Sequence, residues 1–587
     1  MACYLRKIPC LNEKNLRRRN NPMTAKKPPI VIQGGRLIDG NGGKPVDQAT
    51  VVIEDNRIQR VAQGKVDFSK EARIIDASGK TILPGLIDNH VHYRNHSGEL
   101  FLAHGVTSVR DLGNPIDWIL AQRDAIALGK VAGPRIFCAG PGFFGKARRP
   151  DHIVPTSPED GRRMTKAHIE RGVDFVNIYI GVPLDIIRTV AQEAHAAGLR
   201  VTDHLDASIL PYAEAGVDGV EHATGCAEAT IRSEEGRKKL ASIKLWLAKF
   251  LGPWTLAERT HFAEVAEFLA KRGTFIEPTM VLWGSSLGMR DKWEREDYEL
   301  LKNPGLSYIP EDQRLFWLDH HYVAYGVRPK EEPEQDVVIA NRYSIYGILP
   351  EDQLREGHRR LQEFLCQLVK AGGNVVTGTD AGAAVIPGIS LHRELDLMVK
   401  AGLSPMQAIQ AATKVGADYL GKLSELGTVE EGKLADLIVV RGNPLEDITH
   451  ARRIDVVIKN GEIVDTRYHE SFSTPIPRPT NQEFYGYPVP KLEEMSPKVI
   501  SERDGDMELI LKGKDFFPNS YVCFGGSPIP THFISQEKLT AILPSHLARV
   551  GTSPIVVMNP MPREFPDREN VSRPLFLIVK FANLSPS

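Results

Sequence analysis

Long apolar runs and excess charge are both missing from this chain. No stretch of about 18 consecutive apolar residues occurs, so we expect no membrane span. The formal net charge is −1, and such a chain has no overall field that would attract nucleic acid or an anionic membrane. The remaining composition, 42% hydrophobic and 25% charged residues, is typical of an ordinary globular protein.

Cysteine is scarce as well. The six cysteines are scattered along 587 residues, with no Cys-x-x-Cys pair and no spacing typical of a disulfide framework. We therefore expect reduced, structural thiols. The chain is longer than the roughly 250 to 300 residues at which a single core stops growing, so several domains are predicted.

The beginning of the chain is basic and lacks an apolar segment. Residues 1–28 contain Arg-Arg-Arg and Lys-Lys but no hydrophobic run of the kind that a secretory signal needs. We interpret them as a disordered leader, with Met23 as an alternative start. Since no signal peptide is visible, a cytoplasmic location is the default expectation.

Two histidines follow a short apolar run near the first fifth of the chain. Residues 83–92 read Leu-Pro-Gly-Leu-Ile-Asp-Asn-His-Val-His, which is typical of a buried strand. Side chains at i and i+2 of a strand point to the same face, so His90 and His92 are expected side by side. Neutral imidazole nitrogens bind divalent metals well, and the pair is a candidate half of a metal site.

Three more polar residues end short β-type runs farther along the chain. His204 closes Gly-Leu-Arg-Val-Thr-Asp-His after a helix-like stretch at 184–197, and His222 closes Gly-Val-Asp-Gly-Val-Glu-His. Asp380 closes Gly-Gly-Asn-Val-Val-Thr-Gly-Thr-Asp after an amphipathic stretch at 355–371. Strands that alternate with helices and carry polar residues at their carboxyl ends predict an α/β fold of the (β/α)8 TIM-barrel type, whose site collects at that face.

Six segments of the chain resemble the amidohydrolase superfamily, in the branch that contains imidazolonepropionase and the prolidase-like metal hydrolases. In the family's order they are LPGLIDNHVH, HGVTSVRDLG, GLRVTDHLDA, AGVDGVEHATG, VVTGTDAG and LGTVEEGKLADLIVVRGNPLEDI. The resemblance implies five metal-binding or catalytic positions, which are His90, His92, His204, His222 and Asp380. It also implies a small-molecule substrate and a divalent metal, zinc by default.

One position departs from the family pattern. Binuclear members of this branch carry a carboxylated lysine at the end of the fourth strand, and Asn177 holds that position here. An amide cannot be carboxylated and is a poor bridging ligand, so we favour one metal per chain over two. In single-metal relatives the strand-six histidine is not a ligand, which would leave His222 free to contact substrate or water. The alternative for Asn177 is a residue that only orients a neighbour.

The resemblance also suggests a mechanism. A divalent metal activates a water molecule and polarises the substrate carbonyl. Asp380 would take the proton of that water and pass it to the leaving nitrogen, while His222 would stabilise the developing oxyanion or hold the water. Tyr179 and Asn177 are candidate substrate contacts, with packing as the alternative for the tyrosine.

The remaining segments predict further domains. Strand-like runs before and after the barrel are expected to pair in a composite β-sandwich, as the resemblance implies. A proline-rich linker precedes a run of short alternating strands, which predicts an all-β sandwich. This segment resembles the immunoglobulin-like IPT/TIG domain. We expect it to contact protein, carbohydrate or the barrel, or to act as a spacer. The predicted bounds are 1–28 for the leader, 29–84 and 415–470 for the composite sandwich, 85–414 for the barrel with an insertion at about 284–354, 471–497 for the linker and 498–583 for the IPT/TIG-like domain.

Three functions fit these features. We favour hydrolysis of an amide-like carbon–nitrogen bond, linear or cyclic, in a small molecule such as a dipeptide or N-acyl amino acid. The alternative on the same scaffold is a deaminase or an esterase or lactonase, since the fold does not discriminate. A catalytically inactive binding protein needs none of the four histidines and is disfavoured. Assembly into a homo-oligomer stays open.

Overall fold

The structure is a computed structural model in which most of the chain is described. Most of the predicted leader, linker and 284–354 insertion lies outside the described residues. The described ranges are 27–146, 153–243, 251–283, 289–310, 313–314, 317–318, 351–382, 385–474, 476, 490–518, 520–525, 527–548, 550–559, 572 and 574–580.

The β-strands of these ranges fall into four groups along the chain: a first flank, a centre, a second flank and a C-terminal unit. In chain order they are β1 Ile30–Leu37, β2 Val46–Glu54, β3 Arg57–Gln63, β4 Arg73–Asp76, β5 Lys80–Pro84, β6 Leu86–Val91, β7 Val106–Asp111, β8 Arg135–Cys138, β9 Val176–Ile178, β10 Val201–Asp203, β11 Gly219–Val220, β12 Phe275–Ile276, β13 Asn374–Val375, β14 Leu437–Arg441, β15 Ile454–Lys459, β16 Glu462–Ile463, β17 Lys491–Ser496, β18 Val499–Ser501, β19 Met507–Lys514, β20 Tyr521–Phe524, β21 Ser527–Ile529, β22 Thr531–Ser535, β23 Lys538–Leu543, β24 Gly551–Met558 and β25 Leu575–Lys580.

The α-helices lie mainly between the central strands. They are α1 Gly98–Ala103, α2 Ile116–Ala127, α3 Pro158–Arg171, α4 Leu184–Ala196, α5 Ile209–Ala215, α6 Cys226–Thr230, α7 Glu234–Ser242, α8 Phe262–Arg272, α9 Arg290–Leu301, α10 Glu351–Lys370, α11 Ile389–Lys400, α12 Pro405–Ala411 and α13 Lys414–Tyr419. Short 3₁₀ turns occur at Glu221–Ala223, Gly252–Thr255, Arg259–His261, Met280–Trp283, Pro304–Leu306, Ile448–Arg452 and Ser545–Leu547.

Eight parallel strands, β6 to β13, form the centre of the chain. They make a three-stranded sheet, β6-β7-β8, and a five-stranded sheet, β13-β12-β11-β10-β9, in which neighbouring strands are parallel. Two isolated parallel bridges connect the two sheets. Val91 of β6 pairs with Ala381, which follows β13, and Phe143, which follows β8, pairs with Ile178 of β9. This is the strand order of a (β/α)8 barrel, and it brings the carboxyl ends of the strands to one face.

Amphipathic patterns and caps place the helices outside these strands. The N-terminal start of α3 is capped by Ser157, whose side chain accepts a hydrogen bond from the Asp160 N–H, and its end is closed by Gly172 in the left-handed region. Helix α4 buries residues spaced for one face, namely Ile186, Ile187, Thr189, Val190, Ala191 and Ala194. The sequence predicted this helix at 184–197.

Strands from the two flanks of the centre pair in one sheet. Its order is β16-β15-β14-β5-β1-β2-β3, with β4 beside β1. Strand β14 pairs antiparallel with β5 and sets Val439 opposite Ile82, and both residues lie in an apolar core that the flanks share. The flanks thus pair in a single mixed sheet, and their arrangement as a small sandwich stays a prediction.

The C-terminal strands form two sheets around a second apolar core. A four-stranded sheet, β17-β19-β23-β22, and a five-stranded sheet, β18-β25-β24-β20-β21, make up this unit. Its core combines Leu509 and Leu539 of the first sheet with Val522, Ile555 and Leu577 of the second. We call this unit the C-terminal sandwich.

The structure moves the predicted boundary between linker and sandwich. Strand β17 pairs with β19 and buries Leu492 and Met495 in the core of the sandwich, so the sandwich begins before residue 498. Proline richness had assigned this stretch to the linker, but its alternating apolar residues make it a strand. At the other end, Gln122 of α2 donates hydrogen bonds to Thr474 and to the Ile476 carbonyl.

Neither a membrane-spanning helix nor a disulfide bond is found among the described residues. Among the described ranges, no helix is both long and apolar enough to cross a membrane. The cysteines that the structure describes are all free thiols, namely Cys138, Cys226, Cys366 and Cys523.

Candidate metal centre

The predicted residues meet at the carboxyl ends of the central strands. His90 lies in β6, His204 directly follows β10, and His222 is the second residue after β11. The ring of His90 lies 5.7 Å from that of His92, 5.6 Å from that of His204 and 4.6 Å from that of His222. Asp380 Oδ1 lies 3.1 Å from His92 Nε2 and 3.7 Å from His90 Nε2.

The donor set fits a divalent metal. Three groups of ligand atoms lie within 4.8 Å of one another: His90 with His204 and His222, His90 with His92 and Asp380, and His90 with Glu221 and Glu277. The Nε2 atoms of His90 and His204 are buried and have no hydrogen-bond partner among the described residues. A buried polar atom without a partner is costly, and a metal would satisfy both nitrogens. Imidazole and carboxylate donors in this number suit zinc and similar ions.

The centre opens on one side. The side chains of His92 and Asp380 are 25% and 18% exposed, whereas that of His90 is fully buried, and His204 and His222 are buried as well. Among the described residues, the candidate ligands that solvent reaches most are therefore His92 and Asp380.

Backbone strain gathers around the same centre. Positive φ angles occur at His222 (57°), Ala223 (49°), Thr279 (41°) and Asp380 (58°). Residues with a side chain seldom adopt this region, and strained residues of this kind cluster at functional sites. The surrounding contacts therefore hold these four positions against their local preference.

Two buried acids that the sequence did not predict contact His90. Its Nδ1 lies 2.8 Å from Glu221 Oε2 and 3.2 Å from Glu277 Oε2, and both carboxylates are fully buried. A histidine that binds metal through Nε2 commonly donates its Nδ1–H to a carboxylate, which orients the ring. Glu221 and Glu277 are placed to do this for His90.

Arg110 is the counterion of Glu221. Its Nη1 donates to Glu221 Oε1 at 2.9 Å and to the Asn89 carbonyl at 2.8 Å, and its guanidinium lies 4.3 Å and 4.2 Å from the ring centres of Phe175 and Tyr419. Arg110 is only 2% exposed. The buried charge of Glu221 is thereby compensated from the side opposite His90.

These contacts set the pKa values of His90, Glu221 and Glu277. Burial would lower the pKa of His90, but the hydrogen bond and charge of Glu221 raise it well above the usual histidine range. Burial likewise opposes ionisation of Glu221, but the charge of Arg110 and the contact with His90 hold its pKa well below the usual range. Burial raises the pKa of Glu277 to about 7.

The pKa shifts of His204, His222 and Asp380 favour the forms that bind metal. Burial and the charge of His90 lower the pKa of His222 to about 3, and burial with nearby imidazolium charge lowers the pKa of His204 well below the histidine range. Burial would raise the pKa of Asp380, but His92 and His90 hold it well below the usual range. Neutral imidazoles and an ionised carboxylate at neutral pH are what metal ligation requires.

The two predicted substrate contacts lie beside the centre. Asn177 Nδ2 donates to the Leu112 carbonyl at 2.9 Å, and its Oδ1 is buried with no hydrogen-bond partner among the described residues. The ring of Tyr179 stacks on His204 at 4.0 Å and on Phe144 at 4.6 Å. Tyr179 therefore contacts a candidate ligand directly.

Strand-end position is the signal that would have found the missed acids. Glu221 follows β11 and immediately precedes His222, and Glu277 immediately follows β12. Both therefore satisfy the positional rule that singled out the histidines. Two successive residues, Glu221 and His222, contribute after β11, and Glu277 contributes after β12.

Comparison with known proteins supports this interpretation. A model of the amidohydrolase family matches residues 81–464, well over half of the chain. Imidazolonepropionase of Geobacillus sp. (strain WCH70) is 23% identical over 438 residues, which cover 71% of this chain and 90% of that protein. Imidazolonepropionase of Clostridium tetani (strain Massachusetts / E88) is 24% identical over 446 residues, covering 73% and 93%.

Solved structures give the same fold. A Xaa-Pro dipeptidase with bound methionine has a TM-score of 0.51 and 24% identity, covering 74% of this chain and all of that chain. Molinate hydrolase has a TM-score of 0.51 and 24% identity, covering 75% and 95%. These likenesses support the TIM-barrel fold, and the family's members use divalent metals. The chain belongs to the amidohydrolase family and is a hydrolase that acts on carbon–nitrogen bonds.

Proposed function

We propose that the chain hydrolyses an amide-like carbon–nitrogen bond of a small molecule, such as a cyclic amide, a dipeptide or an N-acyl amino acid. The observation that carries this proposal is the convergence of four imidazoles and the Asp380 carboxylate at one face. Partnerless Nε2 atoms on His90 and His204 support metal binding there. When bound, a divalent metal supplies Lewis-acid polarisation of a carbonyl and activation of water.

The chain's own residues have separate tasks in this proposal. His90, His92 and His204 hold the metal with Asp380, and Glu221 orients His90 from its Nδ1 side. The Asp380 carboxylate, ionised at neutral pH, also accepts the proton of the attacking water and returns it to the leaving nitrogen.

We further propose one metal per chain, zinc by default. Asn177 stands where binuclear relatives carry a bridging lysine, and its amide nitrogen is engaged with the Leu112 carbonyl. A neutral amide is a poor bridge between two cations. Elemental analysis of the purified protein tests this point, and two metals at full occupancy would contradict it.

A substrate screen tests the activity. Protein stripped with a chelator and reloaded with zinc is assayed against dipeptides, N-acyl amino acids, cyclic imides, lactones and amino-heterocycles, with Asp380→Asn as the matched inactive control. We expect metal-dependent release of an amine or carboxylate from one of the amide classes. Turnover of lactones or of an amino-heterocycle alone would instead favour the alternative functions, an esterase or lactonase, or a deaminase.

The C-terminal sandwich is proposed to be an IPT/TIG-like domain. Two sheets of four and five strands around one apolar core support this assignment, together with the segments LKGKDFFPNS and VVMNP. We propose contact with protein, carbohydrate or the barrel as its role, and we assign it no catalytic residue.

A further inference from the structure

One buried hydroxyl group, that of Thr279, contacts His222 of the candidate centre. Thr279 Oγ1 lies 2.6 Å from His222 Nδ1, and the two residues are 0% and 4% exposed. Thr279 follows β12 and His222 follows β11, so this hydrogen bond joins neighbouring strand ends. It gives His222 a buried partner at Nδ1.

The backbone around Thr279 is held firmly in an unusual conformation. Its φ is 41°, which a β-branched residue rarely adopts. The Thr279 N–H donates to Glu277 Oε1 at 2.7 Å, and the next two N–H groups donate to the buried Glu394 carboxylate at 3.0 and 2.7 Å. Two buried acids therefore hold the hydroxyl in place.

The direction of the hydrogen bond follows from counting hydrogens. Among the residues that the structure describes, Thr279 Oγ1 has no hydrogen-bond partner except His222. A buried hydroxyl hydrogen needs an acceptor, and His222 Nδ1 is the one within reach. A neutral imidazole accepts at one nitrogen and carries its hydrogen on the other, so this direction of the hydrogen bond would put the hydrogen of His222 on Nε2.

We propose that Thr279 is a positioning residue that fixes His222 in the Nε2–H form, so that His222 donates a hydrogen bond to the substrate oxygen and does not bind the metal. A protonated nitrogen has no lone pair for a metal. His90, His92, His204 and Asp380 then form the whole ligand set. The identity of the acceptor rests on the proposed function, whereas the protonation of Nε2 does not.

The opposite direction of the same hydrogen bond has opposite consequences. If His222 Nδ1–H donated to Thr279, Nε2 of His222 would be free to bind a metal. Thr279 would then support a ligand, and its loss would weaken metal binding by roughly 10- to 100-fold. Metal affinity therefore distinguishes the two arrangements without any substrate.

The first experiment measures metal affinity alone. Zinc dissociation constants are determined by chelator competition for the unaltered protein, His204→Ala and His222→Ala, and visible absorption spectra are recorded with Co²⁺. We expect His204→Ala to weaken zinc binding by roughly 100-fold or more, and His222→Ala to leave affinity within about threefold and the Co²⁺ spectrum unchanged. Equal weakening in both variants, or a changed Co²⁺ spectrum in His222→Ala, would overturn the proposal.

The second experiment tests Thr279 itself. Thr279→Val keeps the β-branch and removes the hydroxyl, while Thr279→Ser keeps the hydroxyl. On a substrate from the screen, we expect Thr279→Val to lower kcat by roughly 10- to 100-fold, with KM and zinc affinity little changed, and Thr279→Ser to restore most of kcat. Weakened zinc binding in Thr279→Val, or a serine variant as slow as the valine variant, would contradict the assignment.

A matched control separates positioning from packing. Thr165 is also buried, and its hydroxyl donates to the Gly161 carbonyl inside α3, so Thr165→Val measures the cost of losing a buried hydroxyl elsewhere. We expect no change in kcat there. If no amide class is turned over by the unaltered protein, the proposed function fails, but the zinc and Co²⁺ measurements still decide the state of His222.

Discussion

The centre of the barrel and the C-terminal sandwich differ in what they bury. Among the described residues of the sandwich, the buried polar side chains are Ser520, Asn559 and Ser572. Ser520 donates to Asn559 at 2.5 Å, and Ser572 accepts from a backbone N–H at 2.9 Å. The barrel centre instead buries a set of charged and titratable groups, which includes Asp88, His90, Arg110, His204, Glu221, His222, Glu277 and Glu394.

The backbone follows the same division. In the described part of the sandwich, Asp515 is the non-glycine residue with positive φ, at 62°, whereas four such residues surround the candidate metal centre. Buried charge and strained backbone cost stability unless their surroundings compensate them. The barrel centre contains both buried charge and strained backbone, at the place where we propose chemistry, whereas the described part of the sandwich contains little of either. Changes at the centre should therefore alter metal binding and turnover, and changes in the sandwich should leave both intact.

The largest effect should come from His90→Ala. His90 is common to every group of potential metal ligands that the described residues form, and its removal also takes the imidazole partner from Glu221 and Glu277. We expect elemental analysis to find almost no bound metal and turnover to fall to the background rate. His195→Ala is a suitable control, because this histidine is 43% exposed and pairs with Asp218. Full metal content in His90→Ala would place the metal elsewhere.

Asp380→Asn should separate chemistry from metal binding. Asparagine keeps the size and one oxygen of the side chain but cannot accept a proton as a base. The histidines should retain metal, while kcat falls by about 10² or more. Parallel measurement of metal content and kcat tests this. Near-normal turnover by a metal-loaded variant would show that another group is the base.

Arg110→Met should destabilise the barrel centre. It removes the cation that compensates Glu221 and leaves that buried carboxylate with His90, Thr202 and Tyr419 as its partners. Breaking one partner of a buried ion pair costs about 3–5 kcal/mol, and we expect a loss of this size in denaturant unfolding of metal-free protein.

The double variant Arg110→Met with Glu221→Gln is the control for this prediction. It removes both charges and should lose less stability than Arg110→Met alone. A double variant that loses as much stability as the sum of both single variants would show that the two residues do not interact.

Much of the fold was accessible from the sequence because its signals are local. Apolar runs that end in a polar residue, each after a helix-like stretch, predicted the parallel strands of the centre, and the helix expected at 184–197 is observed at Leu184–Ala196. The boundary near residue 498 was less accessible, because proline-rich composition and the strand β17 adjoin in the same stretch.

The candidate site was accessible only in part. Strand-end position predicted where His90, His204 and Asp380 lie, since this position depends on each strand alone. The partners of His90 and Arg110 depend on which distant strands become neighbours: Glu221 is 111 residues from Arg110, and Glu277 is 187 residues from His90. Asp111 is the acid next to Arg110 in the sequence, but the structure pairs the Arg110 guanidinium with Glu221.

The smallest effect should come from removing the sandwich, provided that the cut respects the barrel. Residues just before the linker still contact the barrel: His469 pairs with Glu99 at 2.6 Å, and the Ile476 carbonyl accepts from Trp118 at 3.2 Å. A chain that ends at residue 476 should keep its metal and kcat, with an unfolding temperature within about 2 °C, a shift well below that of a lost core contact. A chain that ends at residue 470 loses several hydrogen bonds worth about 1 kcal/mol each and should unfold several degrees lower, as calorimetry would measure. Metal loss or aggregation of the longer chain would mean that the sandwich is a structural support of the barrel, and the contrast between the two regions would then not extend to their stability.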